Sequence, residues 1–198
     1  VLGPVDVRYL GLESVEFRSL KLAHKLLNLE PEGSVVFERE ERVFNAMKEE
    51  QESAKKGEGE AEYLGVLKEV EIVQDEIADG LRRLSEGNIA NPNAKKRFNL
   101  INLDYVGHMS SGKEESFGDI FKGDVVDDIG MIYVTLNNTP LSKFRADKAG
   151  YPGDPVDVVT AAMERQNKET GSKYKIDREF INYTGGTNQR EGSEMVVV

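Results

Sequence analysis

Short apolar, β-branched runs alternate along this chain with longer stretches whose apolar residues recur every three to four positions. Residues 5–11 (VDVRYLG) read as a first strand that ends in glycine. Residues 14–27 read as an amphipathic helix, with Leu20, Leu22, Ala23, Leu26 and Leu27 near helical spacing and Glu13, Ser14 and Glu16 supplying caps and acids at its start. A turn at Pro31, Glu32 and Gly33 opens a short apolar strand, 34–37. The charged run 38–42 cuts it off, and a second helix follows with Val43, Phe44 and Met47. The polar, glycine-containing stretch 49–62 reads as a frayed helix end and an exposed loop.

The alternation continues in the second half. Residues 64–74 read as a third strand through Val66, Val70, Ile72 and Val73, and 75–85 as a helix carrying Ile77, Leu81 and Leu84. A turn-rich connector, 87–96, precedes a fourth strand, 98–103, that stops at Asp104. A glycine- and serine-rich loop, 107–116, leads to a helix over 117–127 and to 131–136 (MIYVTL), the most strand-like run in the chain. The long loop 137–153 is followed by a helix over 154–170 and by strands over 173–183 and 193–198, joined at a turn, 184–188. Seven strands and five or six helices in alternation call for right-handed crossovers and a mostly parallel sheet covered on both faces. The expected fold is therefore an α/β three-layer sandwich, a single domain over 1–198, closed by an antiparallel hairpin.

Composition narrows the chemistry. With 38% hydrophobic and 31% charged residues among 198, the chain is that of an ordinary globular protein, long enough to bury a sizeable core. The absence of cysteine removes disulfide frameworks, zinc knuckles, iron–sulfur clusters and thiol nucleophiles. Two histidines, His24 and His108, leave little for a histidine metal cage or a Ser-His-Asp triad, so no metal is expected. No apolar run is long enough for a membrane span, and no basic segment followed by an apolar one marks a secretory leader, so the expected compartment is the cytoplasm. A formal charge of −10 disfavours unaided binding to a phosphate backbone. A nucleic-acid partner would need a local basic patch, for which Lys95, Lys96 and Arg97, with Lys143, Arg145 and Lys148, are the candidates.

In an open parallel sheet, ligands bind beyond the carboxyl ends of the strands, which makes those ends the places to inspect. The first ends at Gly11, where the backbone could pass close to a cofactor or simply turn. The second ends at Glu38, placed either to accept hydrogen bonds from both hydroxyls of a ribose or to start a solvated helix. The third ends at Gln74 and Asp75, an amide and an acid that could meet the amino edge of an adenine, with Asp75 also suited to cap the following helix. The fourth ends Asp104, Tyr105, Val106, Gly107. A carboxylate there is costly to desolvate unless it has a partner or a chemical role. His24, Met109 and Phe117 read as structural.

Taken in order, a glycine, an acid, an Asp and an Asp-aromatic-x-Gly at four successive strand ends, closed by a hairpin, resemble the Rossmann-like S-adenosylmethionine-dependent methyltransferases. The resemblance spans 5–198 and implies strand order 3-2-1-4-5-7-6 with the seventh strand antiparallel. It implies S-adenosylmethionine as cofactor, with Gly11 in the glycine turn, Glu38 on the ribose, Gln74 and Asp75 near the adenine, and Asp104 at the start of the catalytic loop. The first turn carries one glycine where the family usually carries two or three. The quartet from Asp104 to Gly107 is similar to the D-P-P-Y and D-P-F-G loops of enzymes that methylate exocyclic amines of nucleic-acid bases. It implies that Asp104 orients the acceptor nitrogen and that Tyr105 meets the base. A base as target must be single-stranded or flipped out. Two further classes fit the same fold: a binding or assembly module that has lost the donor, and a dinucleotide-dependent oxidoreductase.

Overall fold

The computed structural model describes residues 6–86, 97–105, 108–137, 147–151, 155–175, 179–183 and 193–197. The expected connector 87–96, most of the loop 137–153, the turn 184–188, and Val106 and Gly107 lie outside them. The strands are β1 (Tyr9–Leu12), β2 (Val35–Glu38), β3 (Glu71–Gln74), β4 (Phe98–Asp104), β5 (Val126–Asn137), β6 (Glu179–Tyr183) and β7 (Ser193–Val197). They form one sheet in the order β3-β2-β1-β4-β5-β7-β6. From β3 through β5 each pair is parallel, while β7 runs antiparallel to both β5 and β6. This is the expected three-layer arrangement and strand order.

Register explains the two-sided core. Leu10 pairs with Val35 and Ile101, and Ile101 with Ile132, so four branched side chains form a row on one face. Against it pack Leu81 of α4 (Ile77–Ser85), Phe117 and Ile120 of α5 (Ser111–Lys122), and Val159 and Ala162 of α6 (Pro155–Thr170). The opposite face carries Tyr9, Val36 and Ile72. It is covered by Leu20 of α1 (Arg18–Leu26), Met47 of α2 (Glu41–Lys55), and Val66 and Leu67 of α3 (Leu64–Glu69). Each fully buried aliphatic or aromatic side chain contributes about 1.5–3 kcal/mol, and both faces of the central strands collect that gain.

Several boundaries differ from the sequence expectation for physical reasons. The run expected as one strand, 64–74, is helix α3 followed by the short β3. Val66, Leu67 and Val70 share a buried helical face, a spacing that an apolar run also offers to a strand. Gln51 settles the matter: its side-chain amide donates to the carbonyls of Leu67 at 2.9 Å and Val70 at 2.7 Å, satisfying acceptors at the end of α3. Gln51 and Ala54 are buried, so α2 runs on to Lys55 through what reads as a polar frayed end.

Helix α5 starts at Ser111, inside the expected loop, and ends at Lys122 rather than at 127. Asp124, in the left-handed region at φ 54°, turns the chain directly into β5, which begins at Val126 instead of 131. In the strand expected over 173–183, Lys173 and Tyr174 lie outside any strand, and β6 spans Glu179–Tyr183. The Tyr174 hydroxyl instead donates to the Val126 carbonyl at 3.1 Å.

Candidate functional site

At the carboxyl edge of the sheet, the tips of β1, β2, β3 and β4 and the starts of α1, α4 and α5 enclose a cleft of about 1090 Å³. Glu38, Asp75, Asp104 and Tyr105 all line it. Three carboxylates far apart in sequence are thus brought together because parallel strands all end on the same edge. Gly11 and Gln74 are not among the lining residues. Gln74 is exposed beside Glu38 in the ladder. Gly11 lies inside β1, paired with Val36 and Asn102, and not in the turn after it. A β-carbon at Gly11 would run into the Tyr9 ring, so this glycine serves the packing of a tyrosine beneath the cleft.

The individual acids are held differently. Glu38 accepts the Glu40 N–H at 2.7 Å, which orients its carboxylate at the rim. Asp75 accepts the Glu76 N–H at 3.0 Å and an ion-paired hydrogen bond from Arg83 of α4. It therefore tethers the start of α4, although the residue at the cap position is Glu76. Asp104 is exposed to the cleft at the end of β4, beside Thr135 of β5, which hydrogen-bonds to it. Partial desolvation raises its pKa above the ordinary Asp value, against the opposing effect of that hydrogen bond.

Tyr105 is buried against the core and pushed above the ordinary tyrosine pKa by its burial. The Lys113 ammonium lies 5.4 Å from its ring centroid, so the ring forms part of the floor under a lysine. Lys113 also donates to the His108 carbonyl at 2.5 Å, and burial lowers its pKa to about 8. Met109 and Phe117 are core residues, as expected. His24 is half-buried on α1, edge-on to Tyr63.

Among the cleft residues that the sequence reading of the site does not name are Lys113 and Glu13. Lys113 lies in the first turn of α5, within a run that reads from sequence as a loop. Glu13 reads from sequence as an acid near a helix start, and it does serve there. Its carboxylate accepts the Leu20 N–H at 2.8 Å and hydrogen-bonds the Ser19 amide in the first turn of α1. It also accepts the Tyr9 hydroxyl at 2.6 Å, and only 8% of the residue is exposed. The basic rim fares differently. Arg97 precedes β4 and so sits about 20 Å from Asp104 at the other end of that strand. There it pairs with Asp124 at 2.7 Å and Asp127 at 3.8 Å, so it takes no part in the cleft. Lys148 is exposed, and Lys95, Lys96, Lys143 and Arg145 lie outside the described residues.

Solved structures share this fold. Phosphoethanolamine N-methyltransferase 2 of Haemonchus contortus, in complex with phosphomonomethylethanolamine and S-adenosylhomocysteine, superposes with a TM-score of 0.58 at 9% identity over 99% of this chain and 49% of its own. A Streptococcus mutans protein assigned as a methyltransferase, with S-adenosylhomocysteine bound, gives 0.52 at 10% identity over 98% of this chain and 89% of its own. The fibrillarin pre-rRNA processing protein of Methanococcus jannaschii gives 0.51 at 9% identity, over 98% and 67%. The fold is that of the class I S-adenosylmethionine-dependent methyltransferases. This class I fold comes here in a chain that spans from about half to nearly nine-tenths of these structures. No family model and no curated protein sequence matches it. Among the described residues, no helix is long and apolar enough to cross a membrane.

Proposed function

We propose that the chain is an S-adenosylmethionine-dependent methyltransferase whose acceptor is an exocyclic nitrogen of a nucleic-acid base. One observation carries the reading: Glu38, Asp75 and Asp104, from three separate strand ends, line a single cleft at the sheet's carboxyl edge. The cleft is large enough for a nucleoside-sized ligand together with part of a substrate. Its donor set of oriented carboxylates suits the hydroxyls and amines of such a donor. The class I fold, shared with structures that hold S-adenosylhomocysteine, supports the same ligand.

In this reading Glu38 holds the ribose hydroxyls and Asp75, steadied by Arg83, faces the adenine end. The bound donor supplies an electrophilic methyl group on a sulfonium sulfur. Asp104 accepts a hydrogen bond from the acceptor amine and so turns the nitrogen lone pair toward the methyl group. Its raised pKa keeps it a modest base for the proton shed once the nitrogen is alkylated. Positioning and electrostatics supply the rate, and no histidine is required. The fibrillarin protein, a pre-rRNA processing factor, lends support to a nucleic-acid acceptor. Arg18, Arg39 and Lys113 give the acidic cleft its positive charge, which suits entry of one flipped-out base better than grip on a duplex.

A second reading, a donor-less module, draws on Asp75 being engaged by Arg83 and on the α1 amides being taken by Glu13. Calorimetry with S-adenosylmethionine separates the two. Asp104→Asn is expected to lower radiolabelled methyl transfer to DNA or RNA by a hundredfold or more, on the order of a removed positioning group, with donor affinity unchanged. Full activity in that variant would remove Asp104 from its role.

A further inference from the structure

We propose that Glu13 is the residue by which the cleft reads the positive charge of its methyl donor and so tells the donor from its demethylated product. The inference rests on the methyltransferase reading above and adds the residue just beyond β1, a strand end to which that reading gives no acid. The first turn of a helix ordinarily leaves N–H groups free to receive an anion. Here the chain's own carboxylate receives them, at Leu20 and Ser19 of α1. This end of the cleft therefore presents negative charge where it would otherwise attract it, and a ligand group settling there is cationic or neutral.

Glu13 also differs from the other carboxylates of the cleft in its surroundings. Tyr9 closes it from β1, with the Tyr9 hydroxyl in turn receiving the Asn102 side-chain amide at 3.1 Å from β4. The first turn of α1 closes it from the other side, and the residue remains part of the cleft lining. Glu38, Asp75 and Asp104 stand at the more open rim, where water and salt screen their fields. A charge 8% exposed acts through protein instead.

The titratable groups that act on Glu13 are Tyr9 on β1 and Asp104 on β4, and the cleft that it lines also carries the cations Arg18, Arg39 and Lys113. Burial raises the Glu13 pKa to about 7, opposed by the hydrogen bonds from Tyr9 and the α1 amides and reinforced slightly by the charge of Asp104. A cation arriving in the cleft draws the carboxyl into its ionised form and releases its proton. The sulfonium donor carries one positive charge more than the thioether product and otherwise nearly the same shape. Loss of that charge on methyl transfer removes the attraction, so Glu13 favours donor uptake and product release together.

The test is calorimetric titration of S-adenosylmethionine and S-adenosylhomocysteine into the wild-type chain and into Glu13→Gln, between about pH 5.5 and 7.5 around the ordinary and raised carboxyl values, in two buffers of different ionisation heat. Glutamine keeps an oxygen for the Tyr9 hydroxyl and the Leu20 amide, so the charge is removed while the α1 cap is kept. In the wild type, the donor-to-product affinity ratio is expected to rise with pH by roughly tenfold, the scale of one partly screened charge pair, with proton release on donor binding. In Glu13→Gln the ratio stays low and flat, and no proton is released. A wild-type ratio independent of pH, or the same ratio in both proteins, overturns the role of Glu13 while leaving the methyltransferase reading intact. Binding of neither ligand to the wild type overturns that reading itself, and the role with it. Should Glu13→Gln fail to fold, the wild-type pH profile and its buffer dependence decide alone.

Discussion

Glu13 sits in a place where burial costs its charge more than three hydrogen bonds return, so its pKa is raised from 4.5 to about 7. The folded chain therefore binds this proton more tightly than the unfolded one. Its stabilising contribution is complete below about pH 4.5 and is lost as the pH rises through 7, on the order of 3 kcal/mol in all. Urea unfolding of the wild type and Glu13→Gln at several pH values should show the wild type losing stability relative to the variant across that window. A constant difference would mean that the carboxyl titrates normally. Next to it, Gly11 looks from sequence like a place for a cofactor to approach, yet what approaches is the Tyr9 ring. The hydroxyl of that ring joins Glu13 to Asn102, so three strand residues and one turn residue act as a unit under the cleft.

At the scale of elements, the boundaries that sequence periodicity places poorly are those decided by a partner from elsewhere. Helix α3 ends where Gln51 of α2 donates to two of its carbonyls. Gln51 is itself held by the Lys48 ammonium at 2.8 Å. Gln51→Leu keeps the volume and leaves both carbonyls without that donor. It should lower the unfolding free energy by about 1–3 kcal/mol, the cost of buried unsatisfied acceptors, measured as a lower denaturant midpoint at unchanged slope. An unchanged midpoint would show that water serves the carbonyls equally well. The α5–α6 junction works by the same logic. Glu114, buried on α5, accepts a forked pair from Arg165 of α6 at 2.6 and 2.7 Å and a hydrogen bond from Tyr151 at 2.6 Å. These contacts hold the pKa of Glu114 below its usual value, although burial alone would raise it. They fix α5, and with it Lys113 and the side of the cleft that α5 forms.

For the whole molecule, a donor that binds only the folded state stabilises it by mass action. At about a hundredfold excess over its Kd, S-adenosylmethionine should add roughly 2.7 kcal/mol, which for a chain of this size raises Tm by about 5–10 °C. A nicotinamide dinucleotide should leave Tm unmoved. A shift with the dinucleotide and none with the methyl donor would favour an oxidoreductase instead. The mostly parallel sheet and the three carboxylates of the cleft were legible along the chain because periodicity marks where these strands end and parallel strands must end on one edge, whereas the strand order came from the resemblance to a known family. The amino-acid sequence by itself thus determined the α/β alternation, the two buried faces and the positions of Glu38, Asp75 and Asp104. Only the tertiary structure decided that Glu13 is enclosed, that Asp75 is held by Arg83, that Tyr105 is packed into the core beneath Lys113, and that Arg97 stands at the far edge. The reason is physical. Burial of apolar groups repeats with the local geometry of helix and strand, whereas the partners and charge states of polar groups depend on which distant segments the folded chain brings within hydrogen-bonding distance.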